Sequence, residues 1–111
     1  MSVFTDEILD ELNDDEMYFG MFTDMVEEND KRDIPLEARV KQSLHDLLAS
    51  EKVEIGVFKA SINGSVEFVA WTGTIAKRVA RAMESFNKRR TERTLSYWLI
   101  LRKHVSRFEG G

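Results

Sequence analysis

The chain has 111 residues, 42% hydrophobic and 32% charged, with a formal net charge of −4. That length suits one domain with a modest core. There is no cysteine, so disulfides, cysteine-rich zinc sites and thiol catalysis are excluded.

The elements can be taken in chain order. Phe4, Ile8 and Leu12 recur at a spacing of four among acids, which predicts a short amphipathic helix. Asn13-Asp14-Asp15-Glu16 reads as an N-cap with an acid three residues on. The helix expected to follow carries two apolar stripes, Met17, Met21, Met25 and Tyr18, Phe22, Val26. So wide a face predicts a helix central to the core or partly reserved for a partner.

Pro35 sits where a third helix would begin. Its buried stripe is Leu36, Val40, Leu44, Leu47 and Leu48, with Glu37, Arg39, Lys41, Gln42 and His45 facing outward. A hairpin follows, VEIGVFKASINGSVEFVAW over 53–71, turning at Asn63-Gly64. Asn-Gly predicts a two-residue type I′ turn, because both central residues need φ > 0. That register sets Ile62 opposite Ser65, Phe58 opposite Val69 and Gly56 opposite Trp71. Phe58, Val69 and Trp71 would then share a face. Both faces of the hairpin are largely apolar, so both are expected to be covered at least in part.

Thr74 is the expected N-cap of a fourth helix burying Ile75, Val79, Ala82, Met83 and Phe86. The run Leu95–Leu101 is β-rich and predicts a third strand pairing with the hairpin. The fold class expected is α+β: three N-terminal helices, a β-hairpin, a fourth helix and a third antiparallel strand. Residues 1–105 form the domain and 106–111 a loose tail. The N-terminal helices should cover one sheet face. The fourth helix, or the mate in a homodimer, should cover part of the other.

Chemistry-bearing motifs are scarce. The chain has no Gly-rich phosphate loop, no GxSxG elbow and no HExxH pair. His45 and His104 are the two histidines, and no cofactor, metal or catalytic residue is expected. Charge is distributed unevenly along the chain. Residues 1–30 hold eleven acids and no base, whereas 75–111 hold ten bases and three acids. That asymmetry points to an acidic surface for a basic partner, a basic surface for an anionic one, or two ends that neutralise each other. The start is acidic and lacks the basic and apolar regions of a signal peptide. No apolar run approaches the ~20 residues of a membrane span. A cytoplasmic protein without membrane contact is therefore expected.

Helix, helix, helix, hairpin, with LEARVKQSLHDLLASEKVEIGVF joining the third helix to the first strand, resembles a winged helix-turn-helix domain over about 14–72. The resemblance lies in the order of elements. It implies a third helix entering the major groove and a wing near the backbone. Nucleic-acid contacts would then fall to Arg39, Lys41, Lys77, Arg78, Arg81, Arg89 and Arg90. The hairpin tip carries no base, and the third helix has a mixed outward face. Phosphate binding draws chiefly on Lys and Arg. Hairpin, helix, strand and a final Gly110-Gly111 also resemble a β-grasp modifier or carrier, which implies a diglycine end activated by adenylation.

The leading expectation is a small non-catalytic binding or regulatory protein acting through protein–protein contact. Its charged surface would be Asp14, Asp15, Glu16, Asp24, Glu27 and Glu28, complementary to a basic partner. Its apolar contacts would be Phe58, Val69 and Trp71, since aromatic residues are enriched at interface hot spots.

Overall fold

The computed structural model describes residues 3–60, 62–84, 86 and 97–108. Helix α1 (Val3–Asp14) leads into a two-residue strand β1 (Met17–Tyr18), then α2 (Phe19–Asn29) and α3 (Leu36–Ala49). The hairpin β2 (Val53–Ala60) and β3 (Val66–Ala70) precedes α4 (Ile75–Glu84). Strand β4 (Trp98–Leu101) and a 3-10 helix (Arg102–Phe108) follow. The α+β class stands: helices accompany one antiparallel sheet of order β1-β4-β2-β3.

The third strand lies inside the sheet. β4 pairs with β2 from Val53↔Leu101 to Gly56↔Trp98, and on its other side with β1 through Met17↔Leu99 and Tyr18↔Trp98. The second helix starts later than the sequence suggests. Met17 and Tyr18 are extended, Tyr18 is the N-cap of α2, and no side chain caps it. The spacing of Met17, Met21 and Met25 imitates a helical stripe, but pairing with β4 takes the first of them into the sheet. The buried face of α2 is instead Phe19, Phe22, Thr23 and Val26, an i, i+3, i+4, i+7 pattern. Met21 is left 38% exposed.

α3 buries Val40, Ser43, Leu44, Leu47 and Leu48. It ends where Glu51 takes a left-handed φ of 62°, a conformation that stops a helix. Thr74 caps α4 as expected, its Oγ1 accepting the Lys77 N–H at 3.2 Å.

The hairpin register differs by one residue from the one the Asn-Gly motif predicts. Gly56 pairs with Ala70, Phe58 with Phe68 and Ala60 with Val66. Among the described residues of the connection, Gly64, at φ 84°, takes the left-handed conformation and Asn63 does not. Asn63 Oδ1 instead accepts the Ser65 N–H at 3.1 Å and the Ser65 hydroxyl at 2.8 Å. A connection longer than two residues needs just one left-handed position. The one-residue shift sends alternate side chains to opposite faces. Phe58 therefore lies on the face opposite Val69 and Trp71. Gly56 sits directly between Ala70 and Trp98. A Cβ there would meet the Val69 carbonyl oxygen at 2.1 Å, so no larger residue fits without moving backbone.

The core lies between the helices and the inner sheet face. Met17, Val53, Ile55, Leu99 and Leu101 pack there with Ile8, Leu12, Phe22, Leu44 and Leu47. Each such side chain contributes about 1.5–3 kcal/mol by leaving water. The fourth helix was expected on the other face, but it joins this side. α4 packs on α3 and supplies Val79, Ala82 and Met83 to the same core. Its Arg81 guanidinium lies 4.2 Å from the centroid of the Trp71 ring. Trp71 continues the β2–β3 ladder by donating its N–H to the Ile55 carbonyl at 2.8 Å.

The outer face of the sheet receives the 3-10 helix, which contacts β3 and β4. Ser106, Arg107 and Phe108 belong to that helix, although the sequence places them in a tail. The Phe108 ring stands 5.0 Å from that of Phe58. Gly110 and Gly111, the basis of the β-grasp comparison, lie outside the described residues, as do Leu95 and Ser96.

Candidate functional site

Alternation along the strands gathers aromatic rings on the outer face. Tyr18 is paired with Trp98, and Phe58 with Phe68. Tyr18 and Trp98 stand 5.5 Å apart at 72°, Phe58 and Trp98 5.3 Å apart at 79°, and Phe58 and Phe68 5.3 Å apart at 61°. Edge-to-face packing of this kind contributes about 0.5–1.5 kcal/mol per pair beyond area burial. Gly56 has no side chain to separate the Trp98 indole from Phe58. The 3-10 helix closes one end with Phe108.

Between these rings runs a groove of about 400 Å³, lined by Asp15, Glu16, Tyr18, Met21, Phe58, Val66, Trp98 and Phe108. Tyr18, Phe58, Trp98 and Phe108 are half-buried, while Met21 and Val66 are exposed on its rim, Val66 at 47%. Contiguous apolar surface left open to water is characteristic of interaction sites.

The polar end is the pair Asp15 and Glu16, set by the turn from α1 into β1. Asp15 Oδ1 accepts the Glu16 backbone N–H at 2.9 Å. The neighbouring Asp15 carboxyl, with the partial burial of Glu16, holds the Glu16 carboxyl above the usual carboxylate range. The neighbouring Glu16 carboxyl and the Glu16 backbone N–H hold Asp15 below it. Two adjacent carboxyls separate in this sense. Arg107 of the 3-10 helix is the cation that acts on Glu16.

The other acids expected at a binding surface do not line the groove: Asp14 is exposed at the end of α1, and Asp24, Glu27 and Glu28 are exposed on α2. Helical spacing puts Asp24 and Glu28 on the same stripe as Met21. Of the three apolar residues expected to act together, Phe58 lines the groove. Trp71 is buried among the core residues against Tyr97, with 5.3 Å between centroids, and Val69 shares its side of the sheet. Tyr18, Met21, Val66, Trp98 and Phe108 belong to the groove without having been grouped by sequence reasoning. Tyr18, Val66 and Trp98 share one signal, apolar residues on alternate strand positions, legible only once the register is known; Met21 comes from α2 and Phe108 from the 3-10 helix.

Of the basic residues that would contact nucleic acid, several described ones are engaged within the chain. Arg39 is half-buried and its guanidinium donates to the Asp30 carbonyl. Arg78 is half-buried, with its Nε enclosed and unpartnered. Arg81 stacks on Trp71. Lys41 lines a cleft between α3 and α4 with Gln42, His45 and Ala76, Lys77 is exposed, and Arg89 and Arg90 lie outside the described residues. His45 Nδ1 is 3.9 Å from Asp46 Oδ1, beyond hydrogen-bond reach.

No protein-family model matches the chain, and no curated protein or solved structure is significantly similar to it.

Two further places were compared with the groove. A hollow of about 640 Å³ lies among Leu9, Asp10, Asn13, Lys52, Leu101, Arg102 and Lys103. Its charges are of both signs, and Arg102 is already held by Glu54 at 2.8 Å. In the core, the Tyr97 phenol is fully buried with no hydrogen-bond partner, and burial pushes its pKa up. Among the described residues there is no group of three or more His, Asp or Glu able to hold a metal ion. No described helix is long and apolar enough to cross a membrane.

Proposed function

We propose that the chain is a small non-catalytic binding protein whose outer sheet face, at the aromatic groove, contacts another protein. One observation carries this reading: the rings of Tyr18, Phe58, Trp98 and Phe108 remain half-exposed around a groove while the opposite face of the same strands is covered by helices. Aromatic anchors in a partly dry groove, rimmed by charge, match the make-up of interface centres. Asp24 and Glu28, exposed on the α2 stripe that carries Met21, favour a basic partner and would steer its approach.

A photo-crosslinking residue placed at Val66, at the groove rim, tests the reading. It should give a discrete adduct with one protein in cells, whereas the same residue at Glu37, an exposed position of α3, should not. Adducts of the same kind and yield at both positions would reject the outer face as the contact surface.

A further inference from the structure

We propose that the groove receives an arginine side chain from the partner protein, its guanidinium lying against the Trp98 and Tyr18 rings and donating to Asp15 and Glu16. This rests on the outer face being the contact surface and names what enters it.

The lining divides into two chemistries. Six of its eight residues are aromatic or aliphatic, and the remaining two are adjacent carboxyls at one end. A purely apolar guest would fill the first part and leave the exposed Asp15 and half-buried Glu16 without an opposite charge, at some desolvation cost to Glu16. A cation with an apolar stem satisfies both parts. Long basic side chains lay their methylenes on apolar surface and keep the head among polar groups, here with Met21 and Val66 beside the stem.

The rings favour the same guest. Tyr18 and Trp98 meet at 72°, and Phe58 and Trp98 at 79°. Rings packed edge to face turn π surfaces in more than one direction, and a cation within about 6 Å of such a surface is attracted by the ring quadrupole. Guanidinium is preferred to ammonium because it is planar, weakly hydrated and able to donate two parallel N–H bonds to carboxylates. The chain uses this pairing internally, where Arg81 lies 4.2 Å from the Trp71 ring centroid on the other side of the sheet. Asp15 and Glu16 are the charged lining groups, and Arg107 is the neighbouring cation acting on Glu16. Arg107 acts on Glu16 and not on Asp15, so an incoming guanidinium meets one carboxyl already influenced by a cation, and a modest, reversible affinity is the expected outcome.

The test uses the whole chain labelled with 15N and three capped tripeptides, Ala-Arg-Ala, Ala-citrulline-Ala and Ala-Lys-Ala. Citrulline keeps the shape of arginine and removes its charge. The arginine peptide should shift the Trp98 indole N–H and the amides of Tyr18 and Glu16 saturably. The citrulline peptide should bind at least about tenfold more weakly, and the lysine peptide several-fold more weakly. In the pair variant Asp15→Asn with Glu16→Gln, an undisturbed spectrum with about tenfold weaker arginine binding supports the proposal. Because the peptide comparison uses the unaltered chain, a variant that fails to fold does not affect it. Equal binding of arginine and citrulline at the groove overturns charge recognition and leaves the docking face intact. Equal binding of lysine overturns the choice of arginine. Shifts confined to the acids of α1 and α2 overturn the groove as the receiving site. If no peptide acts at the groove while the Val66 crosslinker still captures a protein, the arginine inference alone is lost. If the crosslinker fails too, both are lost.

Discussion

Leu99 and Trp98 are neighbours in one strand with opposite surroundings. Leu99 is completely buried on the inner face, between Met17 and Ile55 in the pairing. Trp98 is half-buried on the outer face and meets Tyr18 and Phe58. The same contrast separates Ile55 from Phe58 along β2. Four helices supply apolar cover to the inner face, whereas the described outer face is crossed by the 3-10 helix alone. Hydrophobic side chains thus serve two ends in this sheet. One set has exchanged water for other side chains and holds the fold. The other set has done so in part and remains half-exposed.

The sharpest way to break this division is to truncate across it. Leu99→Ala should cost about 4 kcal/mol, the transfer of a buried side chain plus the cavity left behind. Trp98→Ala, though it removes more atoms, should cost about half as much because its surroundings are already partly solvent. Urea unfolding of the two variants decides; equal losses would mean that the outer face is core as well. Next in size is Gly56→Ala, expected to cost about 3 kcal/mol through a clash with strand backbone. Its thermal midpoint should fall accordingly, and a variant as stable as the parent would show that β2 and β3 can separate there freely.

A smaller loss, about 1 kcal/mol, is expected for Phe108→Ala, which removes the ring packed on Phe58. Amide exchange should quicken in the 3-10 helix and stay unchanged in α3. The smallest effect concerns the acid pair, read by carboxyl NMR titration. Glu16 should titrate above its ordinary 4.5 and Asp15 below its ordinary 3.8. Asp15→Asn should bring Glu16 back toward the ordinary value. The signs for stability are opposed. The raised Glu16 favours the fold at low pH and loses that effect as pH rises through its folded pKa. The lowered Asp15 favours the fold above 3.8 and loses that effect as pH falls through its folded pKa. The pair's contribution is therefore greatest between the ordinary values of 3.8 and 4.5, where both effects are present.

Much of the architecture was legible in the sequence because it depends on local periodicity. The stripes of α1, α3 and α4, the Thr74 cap and the two hairpin strands come from residues a few positions apart. The candidate groove was less legible, for three physical reasons. Met17 and Tyr18 continue a helical spacing, and their strand conformation depends on partners at Leu99 and Trp98. Asn63-Gly64 favours a two-residue turn locally, yet a longer connection with Gly64 left-handed sets the register and moves Phe58 away from Trp71. The side of the sheet taken by α4 follows from packing on α3, and the helix's own pattern shows just that it has an apolar face. The acids Asp15 and Glu16 were noticed for their charge. Their place at the end of an aromatic groove becomes visible with the pairing of β1.

The central position of β4 has a consequence for how the chain comes to be folded. Met17 finds its partner in Leu99, so β1 has nothing to pair with until the last strand arrives. The β2–β3 hairpin can close early, since its strands are near in sequence. The inner layer and the groove both wait for a contact that spans most of the chain, and closing so long a loop is slow. On the ribosome, the helices and hairpin emerge first with a gap in the sheet where β4 belongs. Until β4 arrives, the edge of β2 and the apolar residues facing it stay open to wrong pairings. The same insertion that completes the core assembles Tyr18 and Trp98 side by side. A chain in which β4 has not yet docked therefore has no groove.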